Sequence, residues 1–292
     1  MRFWARWVRA SHLLSARRFT QPKWLQNFTR VFNFTASFKD GTTVSIVKAS
    51  ALEFRLRFWI FLLIYALGFV APWDWVLPLD GSGPNAHVWG LLAVALSKPG
   101  ALSIGAAFNV VLVAGILCAG TGAWLRTWAS AYLGANVVRD TRMHGEAVVA
   151  DGPYRYMRNP LYLGSWVHTL ALALLMPVSG AVFTLALVAL LQLRLILGEE
   201  DFLRVQQGEA YAEYCARVPR LLPALWPQVA ASGARPRWGQ AVLSEIFMWG
   251  MTASFAALGW QYNAMLLIRC VLVWLGVSMV ARAASMQKRP AV

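Results

Sequence analysis

The sequence predicts an all-α fold, a polytopic membrane bundle of about six transmembrane helices. Three observations predict it. Hydrophobic residues make up 58% of the 292 positions and the mean hydropathy is +0.50, more than a soluble core requires. Long apolar runs occur at 58–70, 101–125 and 161–193, and one crossing takes roughly 20 such residues. The net charge of +14 is confined to a few segments. Residues 1–57 hold eleven Lys and Arg against two acids, further Arg clusters fall at 126–160 and 198–240, and the tail adds Arg282, Lys288 and Arg289. The positive-inside bias then places both termini and both long loops on the cytoplasmic side, which an even number of spans satisfies. Anionic lipid headgroups account for the basic excess. No nucleic-acid-binding module accompanies it.

In chain order, residues 1–50 read as a basic arm, disordered or interfacial, with 23–38 able to form a short interfacial helix. The arm has no apolar core of the kind a cleaved secretory signal needs. Residues 51–135 hold the first membrane helices, with spans near 57–77 and 101–125. Between them, 87–97 is apolar but too short to cross and reads as an interfacial or re-entrant helix, which Lys98-Pro99-Gly100 breaks. Gly115, Gly120 and Gly122 read as close-packing positions. Residues 136–226 contain spans near 161–177 and 179–197, turning at 177–180, and then an amphipathic cytoplasmic helix at 199–218. Leu203, Ala210, Tyr211, Tyr214 and Val218 share one face of that helix. Gly208 weakens it, and Pro219 and Pro223 end it. Residues 227–292 supply a flexible connector and a last hairpin, with spans near 241–259 and 263–283. Glu245 and Arg269 fall inside these spans, where charge is costly. Both are expected to snorkel, and pairing between them is not assumed. Cys118, Cys215 and Cys270 form no disulfide framework.

The 161–197 hairpin delivers Arg158, an Asn-Pro-Leu-Tyr turn and Glu199-Glu200 to one membrane face. Charged groups gathered at the mouth of an apolar bundle suggest a site for a polar cofactor beside lipid. As bland alternatives, Arg155 and Arg158 are membrane anchors, Tyr211 and Tyr214 interface residues, and His168 a packing residue. No His, Cys and acid cluster has metal-ligand spacing.

One pattern is more specific. Gly152-x-Tyr154-x-x-x-Arg158-Asn159-Pro160-x-Tyr162-x-Gly164 is followed by Glu199-Glu200-x-x-Leu203 and by Gly208-x-x-Tyr211-x-x-Tyr214-x-x-Val218-Pro219-x-x-x-Pro223. These residues resemble the isoprenylcysteine carboxyl methyltransferase and phospholipid methyltransferase group of integral membrane enzymes. The resemblance implies S-adenosylmethionine as cofactor, bound by the hairpin and the cytoplasmic helix. It implies a cofactor-binding set of Tyr154, Arg158, Asn159, Pro160, Tyr162, Gly164, Glu199, Glu200, Tyr211 and Tyr214. Arg158 would fork onto the cofactor carboxylate, the helix start at Asn159-Pro160 would favour an anion, and the glutamates would take the ammonium or ribose hydroxyls. Glu199, Glu200 and Arg217 are the catalytic candidates, with Arg217 matching a family Arg that handles the acceptor. The group's usual Arg-His-Pro reads Arg-Asn-Pro here, which removes a side chain that titrates near neutrality. The implied partners are the bilayer and an amphiphilic acceptor, either the carboxylate of an isoprenylcysteine-like molecule or a lipid headgroup amine. The competing readings are an NADPH-dependent sterol or enone reductase and a non-catalytic membrane subunit.

Overall fold

The computed structural model describes residues 35–37, 43–45, 48–77, 79, 86–140 and 150–287. Most of the basic arm and the centre of the 136–160 segment lie outside the described residues. Within the arm, Thr35–Ser37 (β1) pairs antiparallel with Thr43–Ser45 (β2). This small ribbon is a local addition to a described fold that is otherwise all-helical, as expected, and it stands where part of the 23–38 helix was expected. Short runs of Thr and Ser suit a strand better than a helix.

The rest of the described chain is mainly helical, with a long irregular segment at 218–237. Its helices are α1 (Ala51–Val70), α2 (Trp73–Val76), α3 (Val88–Ser97), α4 (Ile104–Asp140), α5 (Pro160–Ala173), α6 (Val178–Arg217), α7 (Trp238–Ser244), α8 (Ile246–Leu258) and α9 (Ala264–Gln287). Short 3-10 turns sit at Gly152–Arg155 and Gly259–Gln261. Ser50 starts α1 with a capping box, its hydroxyl accepting from the Glu53 amide while the Glu53 carboxylate takes the Ser50 amide.

Among the described residues, three helices are long and apolar enough to cross a membrane, in α4, α6 and α9, or four if the bent pair α7–α8 counts as one span. The difference from six has two physical sources. Glu53, Arg55 and Arg57 occupy the first two turns of α1, so its uncharged part is short. The 14 residues of α5 extend only about 21 Å at 1.5 Å per residue, well under the ~30 Å of a hydrocarbon core. The α5 end is met by α3 instead: the Val88 and Trp89 amides donate to the Met176 and Leu174 carbonyls. The short apolar 87–97 segment is thus a helix, as its sequence suggests, packed on protein at that end.

Two other expectations change. The segment at 199–218 is not one helix: its first part continues α6 up to the break at Gly208, whose φ of 58° and ψ of −129° only glycine adopts without strain, and 209–217 follows as a second helical stretch. Its expected apolar face is largely present: Tyr211, Tyr214 and Val218 are buried with Leu203 against them, whereas Ala210 is exposed. The 227–240 connector is pinned. The Asp151 carboxylate accepts from the Ser232 amide (2.8 Å), the Ala234 amide (3.2 Å) and the Ser232 hydroxyl, and Arg155 Nε donates to the Val229 carbonyl (2.9 Å).

The core lies between α4, α5 and the C-terminal helices, around Leu112, Leu172, Leu175, Met251, Phe255 and Leu267. A second cluster joins α1 to α6 through Phe54, Ile64, Val188, Leu191 and Leu195. Leucine and valine side chains such as Leu117, Leu190, Leu272, Val273 and Val280 remain on the outside. An outward apolar surface on such helices is what lipid requires. The chain is an integral membrane protein by these criteria.

Candidate functional site

The site forms where α5 begins, α6 leaves the apolar bundle and the chain after α6 returns. Asn159 precedes α5 and Pro160 opens it, as expected for a proline in the first helical turn. The Asn159 side chain does not cap the helix. It reaches across to α6, where its Nδ2 donates to Glu200 Oε1 at 3.2 Å, and it also donates to the Arg220 carbonyl at 3.1 Å.

Glu200 is the hub. It is 3% exposed. Arg220 donates to both of its oxygens, from Nε at 3.3 and 3.1 Å and from Nη2 at 3.0 Å. Arg158 lies on the other side, its Nε 3.4 Å from Glu200 Oε1. That contact is an ion pair without hydrogen-bond geometry, and Arg158 Nε is buried without a hydrogen-bond partner. The Arg158 amide in turn donates to the Pro219 carbonyl at 2.9 Å. Two guanidinium groups therefore share one buried carboxylate, which leaves the cluster one positive charge in excess.

Glu199 has a different environment. It is exposed, and its Oε2 accepts from the Tyr162 hydroxyl at 3.0 Å. Adjacent residues on a helix point in directions roughly 100° apart, so the doublet divides between a buried hub and an open carboxylate. The start of α1 lies nearby: Lys48 pairs with Asp201, and Arg194 forks onto Glu53 at 2.9 Å.

The tyrosines form a packed shelf behind this cluster. Tyr154, Tyr211 and Tyr214 are buried, the Tyr211 and Tyr214 rings lie 5.9 Å apart, and the Tyr214 hydroxyl donates to the Tyr154 carbonyl at 2.7 Å. Burial pushes the phenols of Tyr154 and Tyr214 well above their ordinary range, so both stay neutral. Gly164 is a close-packing position. A Cβ there would stand 2.7 Å from Arg126 Cγ and 3.0 Å from the Gly122 carbonyl oxygen. Gly122 meets Gly164 in the same way, so α4 and α5 touch backbone to backbone.

Of the candidates named from sequence, Arg158, Asn159 and Glu200 are brought together, with Pro160 at the adjoining helix start. Tyr162 and Glu199 form a second, linked pair. Arg217 stands apart: its side chain is 65% exposed and it faces Glu213 at 4.0 Å. Arg220 was missed by the sequence reading. Its only signal was a second Arg just after Arg217-Val218-Pro219. Arg126 and Glu245 were missed as a pair. Arg126 lies within α4 instead of a loop, and Glu245 sits at the α7–α8 break. Among the described residues, no group of three or more His, Cys, Asp and Glu is placed to hold a metal ion.

Fold and site define a helical membrane protein with a buried charge cluster where α5 begins and α6 leaves the apolar bundle. The comparisons narrow this class. Residues 110–210 match the family described as phospholipid methyltransferase. A curated relative, protein-S-isoprenylcysteine O-methyltransferase of Schizosaccharomyces pombe, is 32% identical over 114 residues. That alignment covers 37% of this chain and 47% of the relative, so the match spans about half the relative's length. No solved structure matches the chain. The likeness to the isoprenylcysteine and phospholipid methyltransferase group is thus shown, and the family match at 110–210 falls on the α4–α5–α6 unit that builds the site.

Proposed function

We propose that the chain is a membrane-embedded methyltransferase that takes its methyl group from S-adenosylmethionine and passes it to an amphiphilic acceptor. The observation that carries this reading is the Arg158–Glu200–Arg220 cluster. Arg158 is nearly buried, yet its side chain forms no hydrogen bond within the cluster. An arginine with spare donors beside one excess positive charge suits the carboxylate of the donor's amino acid end. The open Glu199 carboxylate is suited to the ammonium group or the ribose hydroxyls. When bound, the donor supplies a sulfonium-activated methyl group, transferred in line to the acceptor while the carbon–sulfur electron pair returns to sulfur. The chain's task is then to orient donor and acceptor and to exclude water.

Glu200 is unsuited to proton abstraction, because both of its oxygens are engaged by cations. If the acceptor is an amine or a hydroxyl, Glu199 is the candidate base. A carboxylate acceptor is already ionised at neutral pH and requires none. For such an acceptor, the exposed Arg217, held only by its 4.0 Å pair with Glu213, is available to hold the carboxylate. A phosphorylated dinucleotide would have to approach the Glu199-Glu200 doublet, which makes the reductase reading weaker. Orientation follows the same reading: the basic start of α1, the site and the 198–240 segment share the cytoplasmic side.

The test is methyl transfer by the purified protein in lipid nanodiscs, with labelled S-adenosylmethionine and two acceptors, a prenylated cysteine and a phospholipid amine. The reading expects label on an amphiphile of one of these kinds. Transfer to neither, with no donor bound, would count against it.

A further inference from the structure

Arg126 ties together three helical elements that the sequence separates widely. From α4, its Nε and Nη2 donate to the two oxygens of Glu245 at 2.6 and 3.1 Å. Its Nη1 donates to Ser165 Oγ at 2.5 Å and to the Leu161 carbonyl at 3.3 Å, both in the first turns of α5. Glu245 is 5% exposed and also accepts from Ser130 Oγ at 2.9 Å. It occupies the break between α7 and α8, whose axes diverge by 70°. Around it, Trp249 Nε1 donates to Thr127 Oγ1 at 2.9 Å, and the Trp124 and Trp238 rings stack at 5.7 Å. A buried ion pair this fully hydrogen-bonded is weak evidence for stability as such, because apolar packing often replaces one without loss. What it does provide is a fixed geometry.

That geometry ends on the candidate site. Leu161 and Ser165 follow Arg158 and Asn159 by a few residues, and Gly164 lies against the Arg126 side chain itself. We infer that Arg126 and Glu245 are a positioning couple, through which the bent C-terminal element α7–α8 fixes the start of α5 and so the placement of Arg158 and Asn159. The C-terminal hairpin is then part of the catalytic architecture and more than a membrane anchor. The effect on donor binding rests on the methyltransferase reading; the effect on α5 does not.

The experiment compares wild type, Arg126→Met/Glu245→Met, Arg126→Lys and Arg158→Ala in nanodiscs. It measures thermal stability, S-adenosylmethionine affinity by calorimetry, and backbone hydrogen exchange over 158–166. The double Met variant should keep a near-native melting temperature. It should still lose about tenfold in donor affinity, as expected for loss of charge-assisted contacts, and should exchange faster at 158–166 than wild type. Arg126→Lys should show the same two changes, because one ammonium cannot span Glu245 and α5 together. It serves if the double variant does not fold. Native exchange at 158–166 in a folded variant would overturn the inference, and so would native donor affinity alongside donor binding that Arg158→Ala weakens. If wild type binds no donor, the methyltransferase reading fails, and the exchange measurement alone decides whether the couple positions α5.

Discussion

Asn159 and Glu200 stand 41 residues apart, and the Asn159 amide donates to the Glu200 carboxylate at 3.2 Å across the α5–α6 hairpin. The related group usually carries His at the Asn159 position. Asn preserves a donor there while removing a proton that titrates near neutrality. The contact also explains why Asn159 leaves the α5 terminus uncapped: its side chain is committed to the hub.

The two glutamates should separate on mutation. Glu200→Gln leaves Arg158 and Arg220 without their shared countercharge, a loss of about 3–5 kcal/mol when one partner of a buried pair is removed. Thermal unfolding should fall accordingly, together with donor binding. Glu199→Gln, in an open position, should change stability by under about 0.5 kcal/mol while lowering turnover. Equal stability of the two variants would contradict the division.

Arg220 and Arg217 offer a second contrast. Arg220→Ala should weaken donor affinity, because Glu200 loses its bidentate partner and shifts toward Arg158. Arg217→Ala should leave donor affinity unchanged, its pair with Glu213 being largely exposed to water. Any effect of Arg217→Ala should appear in the KM for the acceptor. Steady-state kinetics with each substrate varied in turn checks both.

The motif residues were legible because they cluster in sequence at the ends of one hairpin, and the hairpin's length places both ends together. Arg158, Asn159 and Glu200 therefore meet at the hairpin's ends. Arg220 was not legible. It lies beyond the helix end, in a segment whose path is set by backbone hydrogen bonds such as Arg158 to Pro219. The Arg126–Glu245 pair joins positions 119 apart, and only the helix register of two separate elements reveals it. The connector at 227–240 is rich in Gly, Pro and Ala, a composition that signals flexibility. Its anchors, Asp151 and Arg155, lie far away in sequence. The third span, 161–177, is already short of the roughly 20 residues a crossing takes, and α5 is shorter still because the apolar residues past Ala173 belong to the turn.

Gly164→Ala tests the backbone contact between α4 and α5. The added methyl would meet Arg126 Cγ at 2.7 Å and the Gly122 carbonyl at 3.0 Å. Overpacking of this kind costs about 1–3 kcal/mol, and the displaced Arg126 should weaken donor binding as well. Thermal unfolding of Gly164→Ala beside Gly208→Ala separates packing from backbone strain. At Gly208 there is open space, and its cost comes from a positive φ.

A pH effect is expected at the start of α1. Burial raises the Glu53 carboxyl, but the Arg194 fork and the Ser50 cap outweigh it and hold its pKa below the ordinary 4.5. A depressed carboxylate contributes stability above its unfolded pKa and loses it as pH falls through the folded value. Contact between α1 and α6 should therefore weaken below about pH 4.5, and Glu53→Gln should remove that dependence. Because the pair is partly exposed, the effect should be modest and should shrink in high salt. Thermal unfolding across pH 3–6 reads it.

The account's central claim is that Arg158 binds the donor's carboxylate. Calorimetric titration of S-adenosylmethionine into the purified protein and into Arg158→Ala tests it most directly. The expected result is binding by the wild type and a loss of roughly 10- to 150-fold in the variant, the equivalent of about 1.5–3 kcal/mol for a hydrogen bond to a charged group. Unchanged affinity in a folded Arg158→Ala protein would contradict it.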